Sequence, residues 1–244
     1  MDQVLSFLHT ASVWVIPVII AITFHEAAHG WVADRLGDDT ARRAGRVTFN
    51  PLRHVDPFGT VVLPALLLIV SSPVLFGYAK PVPVNFARLR RPKSDMIWVA
   101  LAGPGVNLGL ALFSTLLLQL VHWLPEALAR WTALALVASL LINVILAVFN
   151  MFPLPPLDGG RVAVGLLPGR LALRLARLER LGIPIIIGLL FVVPIIGDWL
   201  GVSLHIFYWL VWVPSDYVIT AISSIAGVDR RLIDGLAALL LGLG

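Results

Sequence analysis

Two histidines and a glutamate lie within one turn of a sequence that is otherwise apolar, in the pattern His25-Glu26-Ala27-Ala28-His29. Side chains four residues apart share one face of a helix, so His25 and His29 can bind one Zn²⁺ ion through their ring nitrogens. Glu26 then lies beside the metal, where its carboxylate can take a proton from water. This spacing predicts zinc-dependent hydrolysis with Glu26 as the general base.

The helix that must carry these side chains is membrane-like, because residues 13–24 read VWVIPVIIAITF. Hydrophobic residues make up 59% of the 244 residues and charged residues only 13%, and the mean hydropathy is +0.92. Several such runs are long enough to cross a bilayer. Ionisable side chains at membrane depth usually mark function. We therefore expect an all-α polytopic membrane protein whose metal site lies at the depth of the lipid bilayer.

About five transmembrane helices and a re-entrant segment are expected, which makes six apolar segments in a single domain over residues 1–244. The first helix starts at residue 5 or 10. The predicted helices cover residues 5–36 or 10–36, 95–121, 131–149, 183–200 and 204–225. Residues 10–165 form the predicted core, the helices of 183–225 are accessory, and an amphipathic tail at 229–244 is expected on the membrane surface.

Residues 60–77 are the sixth apolar segment, and prolines, serines and a glycine interrupt them. A full crossing would place the basic cluster of residues 80–93 outside the cell and Asp158 on the opposite side from His25. A re-entrant segment avoids both problems, and irregular backbone at depth is tolerated where protein buries it. Prolines and glycines predict short extended pieces on either side, and residues 47–49 or 82–84 could pair with an unwound substrate as a strand.

The basic residues predict the orientation. The first ten residues contain no Lys or Arg, whereas arginines follow the first helix at positions 35, 42, 43, 46 and 53. By the positive-inside rule the N-terminus lies outside and the metal site toward the cytoplasm. The net charge of +4 sits in such clusters beside apolar segments, which favours anionic lipid and not nucleic acid as the electrostatic partner.

A catalytic zinc site needs a third protein ligand besides the two histidines, and it keeps one position open for water. The chain has no cysteine, and Val32 and Arg35 occupy the positions where the longer metzincin pattern needs Gly and His. Asp158 is the best candidate. It lies in residues 150–161, where three prolines and two glycines must break the preceding helix, and the re-entrant topology brings it level with His25.

These motifs resemble those of the site-2 proteases, zinc metalloproteases that cut transmembrane helices within the bilayer. The resemblance rests on the His25–His29 motif, on the small residues of 103–107, and on Asn150 followed by Pro-Leu-Pro-Pro-Leu-Asp-Gly at 153–159. It covers most of residues 12–165. The segments 45–59 and 80–85 also resemble short bacterial members, and the loops are too short for a PDZ or CBS module.

The resemblance implies a set of roles. His25, His29 and Asp158 would bind one Zn²⁺ per chain, Glu26 would be the general base, and Asn150 would help to hold the substrate or the oxyanion. The implied activity is regulated intramembrane proteolysis in a bacterial plasma membrane. The implied partner is a single-pass transmembrane protein, such as an anti-sigma factor or a signal-peptide remnant. The residues do not indicate an oligomeric state.

Other interpretations remain open. The chain lacks the Gly-x-Ser-Gly and Gly-x-Gly-Asp patterns of rhomboid-like and presenilin-like proteases. A metal-binding membrane transporter would use the broken helix as a permeation element, and it would tolerate Glu26→Gln, which a protease would not. A catalytically inactive homologue that binds membrane helices is a third possibility. Asn107 is expected to pack between helices, and His54 and Asp56 are expected in a solvated turn.

Overall fold

The computed structural model describes residues 2–62, 66 and 80–242. These residues are mostly helical and contain no β-strand. The α-helices are α1 Asp2–Arg35, α2 Thr40–Arg43, α3 Pro92–Leu118, α4 Glu126–Asn150, α5 Asp158–Leu166, α6 Gly169–Arg177, α7 Glu179–Ile187, α8 Val193–Trp199, α9 Val213–Ala226 and α10 Arg230–Leu241. Short 3₁₀ helices are Pro51–Arg53, Phe86–Arg88 and Val121–Trp123, and π-helical turns are Pro57–Val62, Gly188–Val192 and Tyr208–Trp212.

Five helical stretches in the described part of the chain are long and apolar enough to cross a membrane, which confirms the expected number and class. They are His9–Arg35, Pro92–Leu118, Leu128–Asn150, Glu179–Trp199 and Tyr208–Ala226. Most of the segment 60–77, for which we expect re-entry, lies outside the described residues. The segment that follows it, residues 80–85, is non-helical, in agreement with the expected extended piece.

The central bundle consists of α1, α3 and α4, which pack in alternating directions. Its interior holds fully buried side chains of α4, including Val137, Leu140 and Val144. Polar side chains also join the helices. At the end far from the metal motif, Trp131 Nε1 donates to Ser12 Oγ over 2.9 Å, and near the middle of α4, Ser114 Oγ donates to Ser139 Oγ over 2.8 Å.

Helix α4 ends at Asn150, and residues 151–157 are non-helical, which confirms the predicted break. The chain becomes helical again at Asp158, three residues before the expected end of the irregular segment. Gly159 and Gly160 are both buried against the backbone of this connection, Gly159 at Met151 and Gly160 at Leu154 and Pro155, and a Cβ on either would clash. The two glycines therefore let α5 start close to the end of α4 and fix where Asp158 stands.

Two successive membrane crossings at 183–200 and 204–225 would make α9 antiparallel to α3. The structure shows the opposite direction. Gln119 Nε2, just beyond the end of α3, donates to Ala226 O at the end of α9, so α9 is parallel to α3. Just before its other end, four residues of the 206–211 segment line an apolar cavity together with Phe149 and with residues of α7 and the π-helical turn after it; they are Ile206, Phe207, Leu210 and Val211, which face Ile186, Leu189 and Leu190. The chain therefore doubles back between α8 and α9 near the metal-site end of the bundle.

Helix α10 is amphipathic, as expected. Part of its apolar side packs on protein, since Ile233 is buried against α4 and α9, whereas Leu232, Leu239 and Leu241 are exposed. Its placement on a membrane surface stays a prediction. Arg230 fixes the start of the helix, because its guanidinium contacts Asp216 Oδ1 at 2.6 Å and Asp234 Oδ1 at 2.7 Å.

Candidate metal centre

Three side-chain atoms from two distant parts of the chain converge beside α1. His25 Nε2 and His29 Nε2 are 3.0 Å apart, and Asp158 Oδ2 lies 3.2 Å from the first and 3.4 Å from the second. A tetrahedral Zn²⁺ with bonds of about 2.0–2.1 Å holds its ligand atoms about 3.3 Å apart. The three predicted ligands are therefore together, in a triangle of the size that such an ion needs.

The hydrogen bonds on the far side of each ring show which nitrogen faces the centre. His29 Nδ1 donates to Val99 O over 2.7 Å, since a carbonyl oxygen only accepts. His25 Nδ1 lies 2.5 Å from Asn107 Oδ1, which accepts in the same way because the amide nitrogen of that asparagine is bonded elsewhere. In the neutral rings both Nε2 atoms then carry a lone pair.

Asp158 completes a set of three electron-pair donors that face one another. Its Oδ2 is buried and has no hydrogen-bond partner among the described residues. Two imidazole nitrogens and a carboxylate oxygen repel one another unless a cation lies between them, and this donor set fits Zn²⁺.

Gly103 of α3 forms the wall of the centre. A Cβ on this residue would lie 2.5 Å from His29 Nε2 and 2.6 Å from His25 Nε2. Only glycine therefore lets α3 approach the two imidazoles this closely. The small residues of 103–107 were expected to permit close helix packing, and the structure shows this at Gly103, which packs against the two candidate metal ligands His25 and His29.

A chain of buried polar groups leads from His25 into the bundle. Asn107 Nδ2 donates to Asn143 Oδ1 over 2.7 Å, and Asn143 Nδ2 donates to Ser139 O over 2.9 Å. Asn107 bridges helices, as expected, but it also orients one of the candidate metal ligands, which was not predicted from the sequence. The four-residue spacing places Gly103 and Asn107 on one face of α3, but it does not identify the helix that this face meets.

Glu26 lies on α1 next to His25, and one of its oxygens is fixed. Its Oε2 accepts a hydrogen bond of 2.7 Å from the Val82 N–H of the non-helical segment. Asn150, the other predicted catalytic residue, donates from Nδ2 to Leu146 O over 2.9 Å within its own helix. Its role in catalysis stays a prediction.

The two weaker candidates lie outside the centre. His54 is 2% exposed, so the expected solvated position is wrong for this residue; its Nε2 bonds Thr48 O at 3.0 Å. Asp56 Oδ1 accepts from two backbone N–H groups of the next turn. Among the described residues, only His25, His29 and Asp158 form a group that could hold a metal ion.

Comparisons with known proteins find relatives that are named as putative zinc metalloproteases. "Putative zinc metalloprotease YwhC" of Bacillus subtilis is 41% identical over 185 residues, which are 74% of this chain and 80% of that protein. "Putative zinc metalloprotease Rip2" of Mycolicibacterium smegmatis is 31% identical over 143 residues, and Rip2 of Mycobacterium tuberculosis H37Rv is 33% identical over the same length. The 143 matched residues are 58% of this chain and 52% of each Rip2 protein. No family model and no solved structure matches the chain.

Proposed function

The chain belongs to the site-2 protease family, and from this premise we propose that it is an intramembrane zinc metalloprotease that hydrolyses peptide bonds of transmembrane proteins. One observation carries the proposal. His25 Nε2, His29 Nε2 and Asp158 Oδ2 converge within 3.4 Å of one another beside Glu26, on a helix that is long and apolar enough to span a bilayer.

His25, His29 and Asp158 would hold the zinc ion. When bound, the ion supplies Lewis acidity, which activates water and polarises a carbonyl group. Asn107 Oδ1 and Val99 O keep the two imidazoles turned with Nε2 toward the centre. This arrangement needs no rearrangement of the ligands before the ion binds.

Glu26 moves the proton in the proposed reaction. Its Oε2 is held by the Val82 N–H, and its Oε1 takes a proton from the water that attacks the scissile carbonyl carbon. The same carboxyl group then gives this proton to the leaving amide nitrogen as the C–N bond breaks. The products are a new carboxylate and a new amino terminus, so the atoms of one water molecule are accounted for.

Asn150 is proposed to contact the substrate or the developing oxyanion. One of its amide N–H groups is bonded to Leu146 O, and a primary amide has a second N–H. The residue stands at the end of α4, where the connection to Asp158 starts, so a peptide bond close to the metal centre would lie near this turn.

A substrate helix must unwind before cleavage, because its carbonyl groups are bonded within the helix. We propose that residues 82–84 receive the unwound strand, since this segment is non-helical and contacts Glu26. The Val82 N–H is bonded to Glu26 and Pro83 has no N–H, so the pairing would use the Val84 N–H and backbone carbonyl groups. Residues 47–49 are less suited, because they form bends and Phe49 stacks on Phe24 with ring centroids 4.4 Å apart. A proline or a charge placed at residue 84 should slow cleavage, and unchanged cleavage would reject strand pairing there.

The proposed location is a bacterial plasma membrane, with the N-terminus outside and the metal centre toward the cytoplasm, where the arginines after α1 lie. The proposed substrate is a single-pass protein whose helix enters the bilayer beside the centre. An anti-sigma factor and a signal-peptide remnant are the two kinds to test first.

The test combines bound zinc with cleavage. Wild type, Glu26→Gln, Asp158→Ala and the control Glu126→Gln, an exposed residue at the far end of α4, are purified in detergent and reconstituted with a single-pass substrate. We expect near-stoichiometric zinc in all but Asp158→Ala, and cleavage only by wild type and the control. Cleavage by Glu26→Gln, or folded wild type that binds no zinc, would reject the proposal.

A further inference from the structure

The carboxylate of Glu26 is fixed by a segment that is not part of its own helix. The hydrogen bond from Val82 N–H to Glu26 Oε2 is 2.7 Å long, and bonds of this kind to a carboxylate are strong. Val82 itself is buried against α1, since a Cβ on Gly30 would lie 3.1 Å from Val82 Cγ1. The position of Glu26 Oε2 therefore depends on where residues 80–82 lie.

Arg46 holds the backbone just before Val82. Its Nη2 donates to Lys80 O over 2.6 Å and lies 3.5 Å from Pro81 O. Arg46 is only 7% exposed, and no ion pair between described residues involves it. A buried cation is costly unless hydrogen bonds compensate it. Here the hydrogen bonds of the side chain go from Nη2 to these carbonyl groups, while the buried Nε has no partner among the described residues.

Few other hydrogen bonds hold residues 80–83, and the next one along the chain is at Asn85, whose N–H donates to Asp38 Oδ2 over 2.6 Å. Pro81 and Pro83 have no N–H group, so they cannot donate to a neighbouring strand or loop. Lys80 N donates to His54 O over 3.0 Å, which adds a second bond from the same loop that carries Arg46. The loop is anchored in turn, because Arg46 N donates to Ala41 O over 2.9 Å.

We propose that Arg46 is a positioning residue for Glu26: its guanidinium holds residues 80–82 so that the Val82 N–H fixes the carboxylate. This inference rests on the proposed function, in which Glu26 is the general base. Without the guanidinium the Val82 N–H moves, Glu26 samples other rotamers, and proton transfer slows. The metal ligands are on other residues and are not affected.

The experiment compares Arg46→Met, which keeps the length of the side chain but removes its donors, with Arg46→Lys, which restores one charged donor. Arg53→Met is the control, since Arg53 is an exposed residue of the same loop. Bound zinc, kcat and KM are measured on the reconstituted protease. Amide hydrogen exchange is followed for peptides that cover residues 80–85.

We expect zinc binding to stay as in wild type for all three variants. In Arg46→Met, kcat falls about 10- to 100-fold with little change in KM, as expected for a misplaced catalytic group, and exchange at residues 80–85 becomes faster. Arg46→Lys recovers most of the lost kcat, and Arg53→Met behaves as wild type.

Four outcomes of the zinc and kinetic measurements would overturn the inference: wild-type kcat in Arg46→Met, loss of zinc in that variant, a raised KM at unchanged kcat, or no recovery in Arg46→Lys. Failure of the proposed function gives a different result, namely a wild type that does not cleave or a Glu26→Gln variant that does. The exchange measurement needs no substrate, so unchanged exchange in Arg46→Met would reject the contact independently.

Discussion

Asn107 Oδ1 lies 2.5 Å from His25 Nδ1 in the buried centre of the bundle. Both residues of the pair are shielded from solvent, and Asn107 is also bonded to Asn143. The orientation of the amide is therefore fixed from two sides. Such an outer partner sets the tautomer of a ligating histidine and its direction toward the metal.

Replacement of Asn107 by Ala should weaken zinc binding by about 10- to 100-fold, the usual loss when the outer partner of a ligating histidine is removed. The variant leaves His25 Nδ1 and Asn143 Oδ1 without their partner, so the ring can turn or take the other tautomer. Competition with a calibrated zinc chelator in detergent measures the affinity.

Thr115→Val is the control for this loss. Thr115 is also fully buried in α3, and its Oγ1 donates only to Ala111 O of the same helix. Its removal costs a buried hydrogen bond without touching the metal centre. If both variants lose zinc equally, the effect of Asn107 is a general loss of stability and the assigned role is wrong.

Gly103→Ala should abolish stoichiometric zinc binding. Its Cβ would lie 2.5 Å from His29 Nε2 and 2.6 Å from His25 Nε2, the two atoms that face the metal. Either α3 moves away from α1 or the imidazoles turn, and each change breaks the ligand triangle. Zinc content after gel filtration, determined by elemental analysis, measures the effect.

Gly105→Ala and Gly109→Ala separate this clash from any general effect of the substitution. They lie in the same helix, and a Cβ on either meets no atom within 4 Å. Alanine favours a helix by about 1 kcal/mol over glycine, so these variants should keep zinc and be at least as stable as wild type. Zinc retained by Gly103→Ala would show that the helices are farther apart in solution.

Much of this site follows from local sequence. His25, Glu26 and His29 are fixed relative to one another by helical periodicity, and Asp158 stands out because prolines and glycines force irregular backbone just before it. The five long apolar helices follow from hydropathy alone. These features depend on residues that are close in sequence, so their spacing predicts them.

What the sequence did not predict depends on contacts between distant elements. No local pattern predicts that Asn107 faces His25 or that the Val82 N–H donates to Glu26. The hydrogen bond from Arg46 to the segment of Val82 is equally non-local. The direction of α9 was missed for the same reason, because counting apolar segments assumes that each one crosses. The doubling back between α8 and α9 is visible only once residues 186–190 and 206–211 lie together.

Helix α7 packs against the connection that leads to Asp158, and Gly182→Ala tests whether this contact supports the metal centre. Gly182 of α7 is buried against the connection that leads to Asp158, and a Cβ there would clash with Pro155 O and Pro156 Cδ. Overpacking of this kind costs about 1–3 kcal/mol, and the connection must shift to relieve it. We expect a lower thermal midpoint and a zinc affinity reduced about tenfold. This loss is smaller than in Asp158→Ala, since the carboxylate is displaced and not removed.

Gly188→Ala is the matched control, because a Cβ at that position meets nothing within 4 Å. Unchanged zinc affinity in Gly182→Ala would mean that the connection holds Asp158 without help from α7.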